Sequence, residues 1–318
     1  MILIQRTIED MTKPFAALAL AAASILALAG CSATAAPASS TGAGTIPVTA
    51  STNVWGDIAK EIGGDHVEVT SVIASLSQDP HEYEVTAADQ LKVRGAKLIL
   101  ANGGGYDTFF GDLVAKAGNS APVITAVPYA PSWPKGEDGM KTVEGFNEHV
   151  WYDTAVTEAV AKKVADELSG IDPAHKADFE KNLATFEKGI AGLDSSLATV
   201  KGAHQGEKIF VTEPVPLYLT AAAGLVNVTP EAFSHAVEEG QDVPPATLLE
   251  ATNLVESGDV KTLFANAQAG GAETTKIIGV AKGKGVPVQE VTELVPDGKT
   301  YLTWMKDNID TLSRNLDK

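Results

Sequence analysis

The 318-residue chain has a single cysteine, which excludes an internal disulfide and any multi-cysteine zinc or iron–sulfur site. Cations are scarce. Against 41 Asp and Glu stand 24 Lys and Arg, a formal net charge of -17, so no basic face is available to grip phosphates and a nucleic-acid partner is not expected. A cationic ligand suits this balance better. Only one long apolar run is present, Phe15–Gly30, which argues against a polytopic membrane protein. What remains is ordinary, 44% hydrophobic and 20% charged, and long enough for about two domains with real cores.

The apolar run is short for a spanning helix, follows Lys13 and ends in small residues, the form of an export signal. Met11 offers a later start that leaves the acidic Glu9 and Asp10 out of the basic region. An uncleaved anchor helix is the alternative. Leu28-Ala29-Gly30-Cys31 resembles the bacterial lipobox, in which the cysteine is diacylated and becomes the mature N-terminus. Residues 1–30 are then a lipoprotein signal peptide, and Cys31 is a lipid attachment point on the extracytoplasmic face of the cell membrane. The Ser/Thr/Ala/Gly/Pro stretch 31–45 reads as a flexible tether.

From Ile46 onward, short β-branched or apolar runs alternate with helical signals: 46–51, 67–73, 97–101 and 123–127, then again 208–212, 262–265 and 286–292. This alternation predicts an α/β protein of two lobes, 46–153 and 205–318, each a small parallel or mixed sheet flanked by helices. Between them, residues 154–204 read as connecting helices. After Asp172-Pro173, a helix-start pair, Phe179, Leu183, Phe186, Ile190, Leu193, Leu197 and Val200 recur at alternating spacings of four and three. That is one apolar stripe on a helix over 173–200, about 42 Å long at 1.5 Å per residue. The stripe can serve a coiled-coil seam or pack on its own chain; its short length and two Phe favour a rigid strut between the lobes. A monomer is expected.

Of the six histidines, His66, His175, His204 and His235 lie in polar or capping contexts that suggest no ligand geometry. His81 lies in Asp79-Pro80-His81-Glu82-Tyr83-Glu84, a loop leaving the second strand and stiffened by Pro80. The residues alone leave a ligand-binding loop and a solvated turn equally open there. His149 lies in Asn147-Glu148-His149-Val150-Trp151-Tyr152-Asp153, where flanking aromatics can exclude water around a metal-binding ring or bury a structural one.

DPHEYE after a strand, NEHVWYD before a helix, VTEPVPLYLTAAAGL after a strand and a C-terminal TYLTWMKDNIDTL, in this order behind a lipobox, resemble the zinc/manganese family of ABC-importer solute-binding lipoproteins. The resemblance spans about residues 48–316. It implies two α/β lobes joined by one rigid helix, with one divalent ion trapped between them by a pair of ligands from each lobe. Transferred by position, the ligands fall on His81, His149, Glu213 and Glu293, with Asp297 as the fallback for the fourth. The segment VTEPVP has one residue fewer before Glu213 than the family usually has, and Glu293 stands where the family usually has Asp. The expected cargo is one manganese or zinc ion, and the expected partner is an ABC-importer permease. Residues 128–148 lack histidine, whereas zinc members often carry a His-rich loop there, so manganese is put first. No catalysis is expected, since four protein ligands leave no open position for an attacking water. Two other readings are a secreted zinc-dependent hydrolase with Glu82 as base, against which stands the lack of an HExxH spacing, and an adhesin or siderophore-binding lipoprotein.

Overall fold

The structure, a computed structural model, describes residues 44–78, 80 and 83–318. The leader, the tether and Cys31 lie outside the described residues, as do Asp79, His81 and Glu82.

The first lobe is built on β1 (Ile46–Thr52), β2 (Val67–Ile73), β3 (Leu98–Ala101) and β4 (Val123–Thr125), in the order β2-β1-β3-β4. The second repeats the plan with β5 (Lys208–Val211), β6 (Val226–Asn227), β7 (Val260–Asn266) and β8 (Val288–Val291), ordered β6-β5-β7-β8. All pairings are parallel. Helices α1 (Asn53–Gly63), α2 (Ala87–Gly95) and α3 (Thr108–Ala117) serve the first sheet, and α6 (Leu217–Ala222), α7 (Glu231–Glu238), α8 (Pro245–Glu256) and α9 (Ala272–Gly283) the second. Because helices cover the faces of a parallel sheet, its inner strands become nearly continuous apolar runs, as LILA of β3 illustrates with all four residues buried. In each sheet the strand order reverses beside the first strand, β1 or β5, and the loops leaving the carboxyl ends there form a crevice.

Two helices connect the lobes. Asp153 caps α4 (Thr154–Ile171), its carboxylate accepting the N–H groups of Ala155 and Val156. The next helix does not start at Pro173 as its stripe predicts. Asp172 accepts the Ala174 N–H and the His175 ring nitrogen (2.6 Å), holding Pro173–His175 as a tight 3-10 turn, and α5 (Lys176–His204) runs four residues past Val200. Phe179, Phe186, Ile190, Leu193, Leu197 and Val200 are buried along it, while Leu183 is only partly so. The C-terminal helix α10 (Tyr301–Leu316) lies against α5 so closely that a Cβ at Gly189 would stand 2.4 Å from Leu302 Cδ1. One apolar core therefore runs from β1 and α1 through α4, α5 and α10 to β5, and residues 44–318 are a single compact unit. Among the described residues no helix is long and apolar enough to cross a membrane.

Candidate metal centre

Behind His149 stands a glycine-rich turn. After β3 the chain reads Asn102-Gly103-Gly104-Gly105, with φ of 80°, 75° and 115° at the glycines, and a Cβ at Gly103 would approach the Gly139 carbonyl to 2.1 Å. The Asp107 carboxylate accepts the N–H groups of Asn102 and Gly103, both at 2.7 Å. Asn102, fixed in turn by the Trp55 indole, donates its amide to the Glu148 carbonyl at 3.0 Å. The strand end thus anchors the main chain one residue before His149.

His149 is completely buried, edge-on to Trp151 and Tyr106 at ring-centroid distances of 5.2 and 6.0 Å. Asn147 decides its tautomer. The Asn147 amide nitrogen donates to the Pro214 carbonyl (3.1 Å), which turns its Oδ1 toward the His149 N–H (3.1 Å) and Nδ1 (2.7 Å). Nδ1 therefore carries the proton and Nε2 the lone pair, the arrangement found in metal-ligating histidines. The same bonds tie this loop to the segment after β5, reinforced by the Tyr218 hydroxyl donating to the Asn147 carbonyl.

In the second lobe Glu213 follows β5 and Glu293 follows β8; they are 4% and 2% exposed. One side chain joins them. Asn266, at the end of β7, donates its amide to Glu213 Oε2 at 2.8 Å and to Glu293 Oε1 at 2.7 Å. The two carboxylates therefore sit side by side at the sheet's reversal point. Gln268 steadies the Glu293 loop by accepting the N–H groups of Glu293 (2.7 Å) and Leu294 (3.2 Å), while its amide donates to the Gln78 carbonyl of the other lobe (3.3 Å). Asp297 lies apart, exposed in a groove with Asn53, Asp57 and Lys60.

Sequence reasoning did not single out Glu238, the last residue of α7. Its Oε1 lies 4.0 Å from His149 Nδ1, and Glu148, His149 and Glu238 can each offer a ligand atom within 4.8 Å of the others. Burial first, then the charges of Glu148, Glu213, Glu239 and Glu293, push its carboxyl up to about 8. Glu238 thus stands near His149 and within the field of Glu213 and Glu293. Asn266 and Gln268 were missed as well, since NAQAGG reads as an ordinary polar loop. The remaining described histidines are surface groups: His66 and His175 stack at 3.9 Å and pair with Asp178 and Asp172, His204 lies 3.3 Å from Glu207 and Asp317, and His235 is exposed.

Chemically, an imidazole and carboxylates without a thiolate form a hard-to-borderline donor set that suits zinc or manganese, and it fits the buried, rigid setting of a binding site. The model of the family described as zinc-uptake complex component A, periplasmic, matches residues 48–315. The chain is 27% identical to the metal ABC transporter substrate-binding lipoprotein FimA of Streptococcus parasanguinis, over 96% of this chain and 99% of that protein. It is 25% identical to the manganese ABC transporter substrate-binding lipoprotein PsaA of Streptococcus pneumoniae, over 97% and 100% respectively. Among solved structures, the periplasmic zinc-binding protein TroA of Treponema pallidum superposes with a TM-score of 0.71 at 20% identity, over 86% of this chain and 99% of that one.

Proposed function

The chain belongs to the zinc-uptake complex component A family, and from that premise we propose that it captures one divalent transition metal ion, manganese before zinc, and delivers it to the permease of an ABC importer. The family is one of substrate-binding components rather than enzymes. The ligands in this reading are His81 and His149 from the first lobe and Glu213 and Glu293 from the second. What carries it is the gathering of Glu213 and Glu293 on a single amide of Asn266, within the field of a further acid that approaches His149. Two neutral imidazoles and two carboxylates neutralise a dication, and a carboxylate that turns bidentate raises the coordination number to what manganese accepts. The histidines bind only as neutral imidazoles, so capture weakens as protons compete for them at falling pH. Lipid on Cys31 holds the protein at the extracytoplasmic membrane surface, within reach of the permease.

Elemental analysis of protein purified without chelators tests the reading, followed by zinc and manganese titrations of the parent, His81→Ala and His149→Ala. The parent is expected to hold one equivalent and each variant to lose it. Variants that retain one equivalent with the parent's affinity would overturn the ligand set.

A further inference from the structure

We propose that Asn147 is a latch between the lobes as well as the residue that orients His149, so that lobe separation and loss of the ion are coupled through one amide. The proposal rests on the reading of this pocket as a metal site and concerns how the ion is let go.

An amide has two unlike ends. The Oδ1 end of Asn147 faces its own lobe and accepts from the His149 N–H at 3.1 Å and from Nδ1 at 2.7 Å. The Nδ2 end faces the other lobe and donates to the Pro214 carbonyl at 3.1 Å. Pro214 directly follows Glu213, so the latch joins the two proposed ligand loops beside the ion's place. Turned end for end, the amide would set donors against donors at His149 and oxygen against oxygen at Pro214. Both lobes therefore select the same orientation, and each bond polarises the amide in favour of the other. With the lobes apart, the first lobe alone selects it.

The second lobe holds this residue twice. Tyr218, on α6, donates its hydroxyl to the Asn147 carbonyl at 2.7 Å. From the first lobe, Asn102 donates to the carbonyl of the next residue, Glu148, at 3.0 Å. The opposed grips meet on successive peptides immediately before His149, so a force that parts the lobes is delivered to that ligand's own backbone. Asn147 and Tyr218 border a groove of about 430 Å³, with Ser132, Phe146 and Leu217, in which water can replace the two bonds as they break. Each bond is then worth the net value of an ordinary hydrogen bond, about fivefold in an equilibrium constant. By linkage, the closed lobes hold the ion more tightly by the same factor by which the ion holds the lobes closed.

Three variants separate the two roles. Tyr218→Phe removes one grip and leaves the amide, the charge and His149 untouched. Asn147→Asp keeps acceptors for His149 but meets the Pro214 carbonyl with an oxygen, and Asn147→Ala removes both functions. Release of manganese into excess chelator is timed for the loaded proteins, and the nitrogen-15 shifts of the His149 ring are recorded for the metal-free ones. Tyr218→Phe and Asn147→Asp are expected to release about fivefold faster than the parent with the ring still protonated at Nδ1, the latter although its added negative charge alone would slow release. Asn147→Ala should release faster still and show both ring tautomers. Release at the parent's rate or slower from Tyr218→Phe or Asn147→Asp, or a single Nδ1-protonated ring in Asn147→Ala, would overturn the proposal while leaving the metal site standing. A parent that binds no metal would overturn the underlying reading instead.

Discussion

At the scale of single residues, Asn266 has the most to do. Its one amide group holds two buried carboxylates that would otherwise repel each other, through charge-assisted bonds of 2.7 and 2.8 Å. Removing a donor from buried charged acceptors costs more than an ordinary hydrogen bond is worth. Asn266→Ala is therefore expected to lower unfolding free energy by about 2–4 kcal/mol and to weaken metal binding, because Glu213 and Glu293 lose their common reference point. Chemical denaturation of the metal-free protein checks the first part and metal titration the second; an unchanged stability would show that the two acids do not depend on this amide. The substitution Asn266→Asp should be worse still, since it adds a third negative charge to the pair. The sequence exposed one part of this site and hid the other for a physical reason. Aromatics mark the stretch of His149 and prolines that of Glu213, and Glu293 is reached only by its position in the family resemblance, whereas Asn266 and Glu238 lie in NAQAGG and AVEEG, indistinguishable from solvated polar segments until the chain folds and burial makes them matter.

At the scale of elements, α1 and α10 meet through acids. Asp57 accepts the Tyr301 N–H at the start of α10 (2.6 Å), and one turn further Glu61 bonds with the Thr300 side chain. Burial first and repulsion from Asp57 second raise Glu61 from 4.5 to about 7, the Thr300 bond notwithstanding. The folded state thus binds this proton more tightly than the unfolded chain, so the contribution to stability is greatest below pH 4.5 and is lost as pH rises through 7. In full the shift corresponds to roughly 3 kcal/mol, and partial exposure to water reduces it to about 1–2. Glu61→Gln should accordingly be more stable than the parent by that amount at pH 8 and nearly equal to it near pH 4.5, as measured by urea denaturation at the two values. An equal difference at both would exclude ionisation of Glu61 as the cause. Such pairs across elements are invisible to pattern reading, which did find the elements themselves. Among the described residues, seven of the eight strands announce themselves as β-branched or apolar runs, but β6 is two exposed residues, Val226 and Asn227, too short to carry a pattern and formed because β5 offers it an edge. The stripe of α5 likewise gave its buried face, yet its start was decided by the Asp172–His175 turn, a local side-chain competition that periodicity does not register.

At the scale of the whole molecule, residues 292–295 are the seam between the lobes. Tyr152 donates its hydroxyl to the Thr292 carbonyl at 2.8 Å, and the Asn53 side chain pairs with both the carbonyl and the N–H of Val295, at 2.8 and 3.0 Å. Gln268 closes the other side of the same segment and reaches across to Gln78. Glu293 lies inside this clamped stretch, and α5 and α10 back it with one shared core, so opening amounts to breaking a few polar bonds around a stiff spine rather than swinging two free bodies apart. On the proposed reading, an ion held by ligands from both lobes would tie this seam from within and bind the folded state alone. Its stabilisation then follows mass action, about 2.7 kcal/mol at a free metal concentration one hundred times the dissociation constant. For a unit of this size that amounts to a rise in melting temperature of roughly 5 °C. Manganese added to the metal-free parent should produce that rise, growing with the logarithm of concentration, and His149→Ala should abolish it while melting as one cooperative unit. A rise that persists in His149→Ala would locate the stabilising ion elsewhere on this acidic surface, and two separate transitions in the metal-free parent would refute the single core on which the stiff-spine account depends.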